Sequence, residues 1–140
     1  MRKFNVTLFA LIAVIAVLLS SCDDLSSSIH TKTYKNGQEI VFDRSTSGYV
    51  EYAYNGKIEN GVFKCIGYIG IAEAGPVTSF EEINTPANSV WKNDIELKEN
   101  YGYIIRITHV FGSYYNKKFR MMVKFLDDGK YEVKYQEIEK

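Results

Sequence analysis

Hydrophobic and polar residues alternate along most of the chain beyond position 31, and this period of two is typical of strands with one buried face. In the segment 101–111, for example, Tyr103, Ile105 and Ile107 share one face of the predicted strand. The segments that we interpret as strands are 31–35, 38–43, 48–54, 62–71, 95–97, 101–111, 119–126 and 131–136. Short connections between them favour an antiparallel meander. The pattern therefore predicts an all-β fold, either a sandwich or a partly open barrel.

Turn dipeptides separate several of these strands. Asn36-Gly37 predicts a type I′ hairpin between the first two strands, because both residues tolerate a positive φ. Asn55-Gly56 and Asn60-Gly61 predict two further turns, which leave 57–59 as a short linking piece. The apolar run 62–71 that follows predicts one long central strand.

One segment breaks the alternation and predicts a short helix near 79–84. Ser79 and Glu82 fit a capping box, in which the serine oxygen and the glutamate carboxylate accept hydrogen bonds from free N–H groups at a helix start. We expect Phe80 and Ile83 to cover one end of the core, because they lie three residues apart on one helix face.

The N-terminal segment carries a targeting pattern. Arg2 and Lys3 precede an apolar run at 8–19, which is shorter than the roughly 20 residues that span a bilayer. Leu19-Ser20-Ser21-Cys22 resembles the lipobox of bacterial lipoproteins, with a cleaved secretory signal, a membrane-spanning anchor and a buried helix as the alternatives. The resemblance implies that the chain is cut before Cys22 and that this cysteine carries lipid.

From Gly70 onward, and in residues 80–136 above all, the chain resembles a group of small Bacteroidetes lipoproteins that have no assigned activity. The similar segments are 77–86, Trp91, the Gly-Tyr-Ile-Ile-Arg run at 102–106, and 133–136. This chain has Val90 where the group has a glycine before the tryptophan. The resemblance implies no catalytic residues at any position of this chain.

These resemblances divide the chain into a signal peptide at 1–21, a lipidated cysteine with a flexible tether at 22–31, and a single β-domain at 32–140. The lipid would hold the domain on a membrane, because two or more acyl chains anchor a protein firmly. Asp23 and Asp24 follow the cysteine, and in Bacteroidetes lipoproteins acidic residues there accompany export to the outer surface. The resemblance favours the outer membrane over the inner one and leaves surface or periplasmic exposure open.

Composition and motifs give no sign of catalysis. The chain has 17 basic and 17 acidic residues, so we expect no nucleic-acid partner, and we interpret the basic residues at 117–120 as a solvated strand end. There is no Gly-rich phosphate loop or Gly-x-Ser-x-Gly motif, and His30 and His109 lack further ligands at metal-binding spacing. We expect a protein that is not an enzyme and has no metal or cofactor. Cys65 is single once Cys22 carries lipid, and we interpret it as a small buried residue.

Aromatic residues and one arginine are the candidate binding residues. The aromatics that fall in predicted loops or strand ends are Trp91, Tyr101, Tyr114 and Tyr115. Exposed rings stack on sugars or form the centres of protein interfaces, whereas buried rings close the ends of a sandwich. Arg106 is the one charge in an apolar strand, and it either pairs with Glu51 or Glu96 or anchors an anionic ligand.

We predict a membrane-anchored binding or assembly module of the cell envelope, with a protein or a glycan as its partner. The alternative is a carbohydrate-binding accessory lipoprotein, in which Trp91, Tyr114 and Tyr115 stack on sugar rings. A third hypothesis is a hydrolase whose catalytic residues follow no recognisable pattern.

Overall fold

A computed structural model describes residues 28–108 and 117–138 of the chain. Within those residues the backbone forms nine strands and two short 3₁₀ helices. The strands are β1 His30–Lys35, β2 Glu39–Ser47, β3 Val50–Glu59, β4 Val62–Gly67, β5 Ile69–Pro76, β6 Asp94–Glu96, β7 Tyr101–Ile107, β8 Lys118–Phe125 and β9 Lys130–Ile138. The 3₁₀ helices are Phe80–Glu82 and Asp127–Gly129. The predicted all-β fold is confirmed.

The strands form two antiparallel sheets. One has the order β1-β9-β8-β7-β5 and the other the order β2-β3-β4-β6. The last two strands form a hairpin, since β8 pairs with β9 along its whole length. The first strand of the domain lies beside the last one, with His30 opposite Tyr135. Two separate sheets with a shared core make the fold sandwich-like.

The core lies between the sheets and follows the predicted alternation. On β7, Tyr103, Ile105 and Ile107 are buried in this core. The other fully buried side chains facing it include Ile40, Tyr54, Ile58, Phe63, Ile71, Met121, Val123 and Val133. Strand alternation in both sheets therefore buries one face of each sheet against the other.

A second, smaller cluster covers the opposite face of the five-stranded sheet. Phe80 and Ile83 pack there on Ile104, with Trp91 and Met122 at the margin. The predicted short helix is confirmed as one turn of 3₁₀ helix. Phe80 and Ile83 cover the outside of this sheet and not an end of the core.

The capping of this 3₁₀ turn differs from the predicted capping box. Ser79 makes no side-chain cap hydrogen bond. The Glu82 carboxylate instead accepts hydrogen bonds from the backbone N–H and the hydroxyl of Thr78, at 3.1 and 2.7 Å. These bonds lower the pKa of Glu82.

One predicted hairpin and one predicted turn are wrong. Asn36-Gly37 is a turn, but it joins β1 to β2 in different sheets, so the first two strands form no hairpin. Asn55-Gly56 lies inside β3, which includes the predicted linking piece 57–59. The prediction for Asn60-Gly61 is confirmed, because both residues have a positive φ and join β3 to β4.

The long central strand predicted at 62–71 is also wrong, because the run divides at Tyr68. Tyr68 has a φ of 40° and separates β4 in one sheet from β5 in the other. The run is apolar apart from Lys64, because each half contributes side chains to the core from its own sheet. The predicted strand 101–111 ends at Ile107 within the described residues, and 109–116 lie outside them.

Candidate functional site

Four basic side chains lie together on the outer face of the five-stranded sheet, which is the face turned away from the core. Residues opposite each other on neighbouring strands share a face, and Arg106 on β7 lies opposite Lys118 on β8. Arg120 follows two residues later on β8, and Lys134 on β9 lies opposite Met122. We call Arg106, Lys118, Arg120 and Lys134 the cationic face.

No carboxylate among the described residues forms an ion pair with any member of the cationic face. Other cations of the sandwich do have such partners, for example Lys57 with Glu59 at 2.8 Å and Lys117 with Asp43 at 2.9 Å. Like charges at directly opposite strand positions destabilise a sheet. The cationic face therefore carries positive charge that forms no ion pair in the described part of the domain, while Glu99 and Glu132 line the same concavity as Lys134.

Arg106 stacks on Trp91, with its guanidinium carbon 4.3 Å from the centre of the ring. Its Nε is buried and has no hydrogen-bond partner within the described residues. Leaving a buried donor without an acceptor costs about 1–3 kcal/mol, which the contact with the ring offsets in part. The predicted pairing with Glu51 or Glu96 does not occur, because both glutamates lie in the other sheet and Glu51 pairs with Arg44.

The backbone around Trp91 explains why the stack forms. Lys92 exchanges two hydrogen bonds with Ile71 of β5, at 2.8 and 3.0 Å, and this bridge sets Trp91 at the edge of the sheet. Gly70 lies opposite Arg106, and a Cβ atom there would be 3.5 Å from Nε of Arg106. Gly70 thus lies beside the stacked pair, and a Cβ atom there would make only ordinary van der Waals contacts with Arg106 and Trp91.

Phe80 supports two further members of the face, Arg120 and Lys134. The ring centre of Phe80 lies 4.8 Å from the guanidinium carbon of Arg120 and 4.7 Å from the ammonium nitrogen of Lys134. Arg120 also donates to the Gln136 side-chain oxygen at 2.6 and 3.1 Å and to the Glu81 carbonyl at 3.0 Å. These acceptors are neutral, so Arg120 is fixed in position while its charge remains available.

Shallow concavities lie on either side of these residues. One of about 290 Å³ is lined by Arg106, Ile107, Thr108, Lys117 and Lys118. Another of about 350 Å³ is lined by Glu99, Asn100, Met122, Val123, Lys124, Glu132 and Lys134. The arrangement offers several fixed donors to oxygen atoms of an anion, which is the geometry of charge-assisted recognition.

The structure brings together two of the residues singled out from sequence and separates a third. Trp91 and Arg106 are in contact. Tyr101 lies five residues from Arg106 along β7, about 16 Å away. Tyr101 packs partly buried against the core, with the Lys98 ammonium 4.8 Å from its ring centre. Of the remaining candidates, Cys22, Tyr114 and Tyr115 lie outside the described residues, as does His109.

Sequence reasoning missed Lys118, Arg120, Lys134 and Phe80 as members of one site. The alternation of β8 and β9 does place the first three on the polar face of their hairpin. Their proximity to Arg106 depends on the pairing of β7 with β8, which the intervening segment 109–116 does not reveal in sequence.

Cys65 is partly buried at the edge of the core, and its thiol donates to the Lys92 carbonyl at 3.9 Å. Burial, together with the nearby charge of Asp94, raises the pKa of the Cys65 thiol to about 12. At pH 8 only about one thiol in 10⁴ is then the reactive thiolate, against roughly a quarter for a thiol of ordinary pKa.

We expect iodoacetamide at pH 8 to alkylate Cys65 in the folded chain at least about 100-fold more slowly than in urea-unfolded chain. Mass-spectrometric mapping of the Cys65 peptide separates this signal from Cys22. Equal alkylation rates in the folded and unfolded chain would show that the thiol is accessible and ionised.

Within the described residues, no group of three or more histidine, cysteine, aspartate or glutamate side chains is arranged to hold a metal ion. The same part of the chain contains no helix that is long and apolar enough to cross a membrane. Comparison of the chain with protein-family models, curated proteins and solved structures finds no match. The resemblance to Bacteroidetes lipoproteins therefore stays a prediction.

Proposed function

We propose that this protein is a non-enzymatic binding module of the cell envelope that holds an anionic polymer on its cationic face. The observation that carries the proposal is the contiguous set of basic side chains without carboxylate partners in the described domain. A ligand with several phosphate or carboxylate groups supplies the ion-pair partners that these basic side chains lack among the described residues.

The spacing of the cationic face suits a polymer better than a single small anion. Side chains at the opposite positions Arg106 and Lys118 start about 5 Å apart, and Lys118 and Arg120 are about 7 Å apart along β8. Hydrogen bonds to a charged partner contribute about 1.5–3 kcal/mol each. Three of the four side chains, Arg106, Arg120 and Lys134, are already held against Trp91 or Phe80. Binding successive anionic groups at these three therefore requires little further ordering of the protein.

The membrane attachment is proposed from the lipobox. Lipid on Cys22 would tether the domain through residues 23–29, with the outer membrane favoured by the acidic pair that follows the cysteine. Intact-mass measurement of the protein from its native membrane tests this step on its own. A mass that matches a chain cut before Cys22 plus acyl groups supports it, and an unmodified N-terminus contradicts it.

Stacking of neutral sugars is the weaker candidate. Trp91 is half-buried, and Arg106 covers one face of its ring. One face of the indole is thus occupied by a cation, and that cation forms no ion pair within the described residues. We therefore restrict the glycan hypothesis to anionic glycans, whose charged groups would contact the cationic face.

The test uses the full-length lipidated chain in nonionic detergent, titrated with inorganic polyphosphate and with polygalacturonate by calorimetry. We expect salt-dependent binding of polyphosphate, of polygalacturonate or of both. The probe that binds identifies phosphate or carboxylate as the recognised group. We expect the double variant Lys118→Gln and Lys134→Gln to bind at least about tenfold more weakly, because two charge-assisted contacts are lost.

The matched control removes two positive charges from the other sheet, in the double variant Lys57→Gln and Lys64→Gln. Both lysines are partly exposed, and both contact Glu59. This control is expected to keep its affinity within about twofold. If both double variants lose affinity equally, or if neither probe binds, the cationic face is not a binding site.

A further inference from the structure

The sandwich has two chemically different ends. At one end β1 begins at His30, β7 finishes at Ile107 and β5 begins at Ile69. We call this the N-terminal end, because the upstream chain joins the domain there. The other end carries the turn at Asn36 and the turn at Asn60, whose side chains contact each other.

Exposed large hydrophobic side chains concentrate at the N-terminal end. Five of the six among the described residues lie there, namely Ile29, Tyr49, Val50, Ile66 and Tyr68. Ile29 precedes β1, and Ile66 and Tyr68 flank the crossing from β4 to β5. The sixth, Val90, lies beside β5 farther along that strand, where it lines a concavity with Glu73.

Tyr49 and Val50 form the tip of a hairpin that projects from the same end. β3 pairs with β4 only from Asn55 onward, so the first part of β3 has β2 as its one partner. The tip thus extends about 16 Å beyond Asn55. Tyr49 is fully exposed, while Tyr52 lower in the hairpin packs edge-to-face on Tyr68 at 5.9 Å.

The length of the upstream chain restricts what can cover this end. Seven residues lie between Cys22 and His30, and the eight Cα–Cα steps of a fully extended chain span at most about 29 Å. A lipid on Cys22 therefore keeps the N-terminal end within that distance of the bilayer. Tyrosine rings partition to the boundary between lipid and water, and lysine near that boundary is attracted to anionic headgroups.

We propose that the N-terminal end docks on the anionic surface of the membrane that holds the lipid of Cys22, with the tip of the β2–β3 hairpin entering the headgroup layer. This inference rests on the proposed lipid anchor. The anchor makes docking intramolecular, so a contact too weak to hold the free domain is sufficient. Lys118 at the start of β8 adds a positive charge beside the apolar groups.

Docking in this way sets the orientation of the domain. The strands of both sheets end at the membrane, so the cationic face stands to the side of the sandwich and not beneath it. Arg120 and Lys134 then remain open to a polymer that approaches along the membrane, while the turns at Asn36 and Asn60 point away from it.

Quenching by brominated lipid tests the proposal. The full-length lipidated chain is reconstituted into phosphatidylglycerol vesicles whose acyl chains carry bromine. The variant Tyr49→Trp places a reporter at the hairpin tip, and Asp127→Trp places one in the exposed turn at the opposite end. Trp91 is the one native tryptophan, and the parent chain measures its contribution.

We expect the Tyr49→Trp signal to lose at least half of its intensity in brominated vesicles and to shift to the blue, while the Asp127→Trp signal stays unchanged. Equal quenching of both reporters, or none at position 49, overturns the proposal. Adding Val50→Ser to Tyr49→Trp is expected to reduce the quenching, and an unchanged value also counts against docking. Polyphosphate binding in detergent does not depend on this contact, so failure here leaves the proposed function standing.

Discussion

Replacing Gly56 by alanine is expected to lower the free energy of unfolding by about 2–3 kcal/mol, which is the usual cost of overpacking a core. A Cβ atom at position 56 would lie 2.4 Å from Cζ of Phe63 and 2.9 Å from the Lys64 carbonyl oxygen. Phe63 is fully buried, so the ring and the backbone at Lys64 would both have to shift. Urea denaturation of the two chains, followed by tryptophan fluorescence, measures the change.

Gly70→Ala is the matched control, because it makes the same substitution in a strand with only ordinary contacts of 3.5 Å or more. It is expected to change the stability by less than about 1 kcal/mol. In the double variant Gly56→Ala and Phe63→Leu the shorter side chain relieves the contact, so the combined loss should be less than the sum of the two single losses. Additive losses would show that Phe63 is not what excludes a side chain at Gly56.

Replacing Phe80 by alanine is expected to lower the free energy of unfolding by about 3–5 kcal/mol. Phe80 is buried against Ile83 and Ile104 outside the five-stranded sheet, although it belongs to a single 3₁₀ turn. The same ring supports Arg120 and Lys134. Chemical denaturation measures the stability, and calorimetry with polyphosphate measures the binding.

Phe80→Leu separates the two roles of the ring. Leucine keeps most of the buried volume, so the loss of stability should stay below about 1.5 kcal/mol. Leucine has no ring to hold the two cations, so polyphosphate binding is expected to weaken by a few-fold. Unchanged binding in Phe80→Leu would mean that Phe80 packs the outer layer and does not order the cationic face.

Alternation was sufficient to predict the all-β fold and most strands, because side-chain period two is a local property of the chain. The positions of the turns were less predictable. Asn55-Gly56 has the residues of a type I′ turn, yet Gly56 lies within β3. A glycine is needed there because Phe63 fills the space that a side chain would occupy. A sequence does not distinguish a glycine needed for a positive φ from one needed for a close approach.

The division of 62–71 between two sheets was hidden for a related reason. Both β4 and β5 contribute apolar residues to the core, so the run shows no change of pattern at Tyr68. A tyrosine with a positive φ is uncommon, and nothing in the sequence indicates it. The 31–35 and 38–43 pair was misassigned in the same way, because the turn between them crosses from sheet to sheet.

The candidate site was predictable only in part. Arg106 could be found because it interrupts an apolar strand, and its contact with Trp91 is a tertiary one that no spacing indicates. In the sequence alone, Lys118 and Lys134 have the pattern of solvated polar residues in a hairpin. They form a site with Arg106 only because β7 pairs with β8, which places basic residues of three neighbouring strands side by side.

The pairing of β1 with β9 also sets how the domain responds to mechanical load. β1 joins the upstream chain at His30 and is paired with β9 along all of its positions as far as Lys35. A pull on the upstream chain runs along the axis of β1, so its interstrand hydrogen bonds are stressed together in shear instead of being peeled apart one at a time. The hydrogen bonds between β1 and β9 would therefore resist unfolding when tension acts on the domain through the proposed lipid anchor.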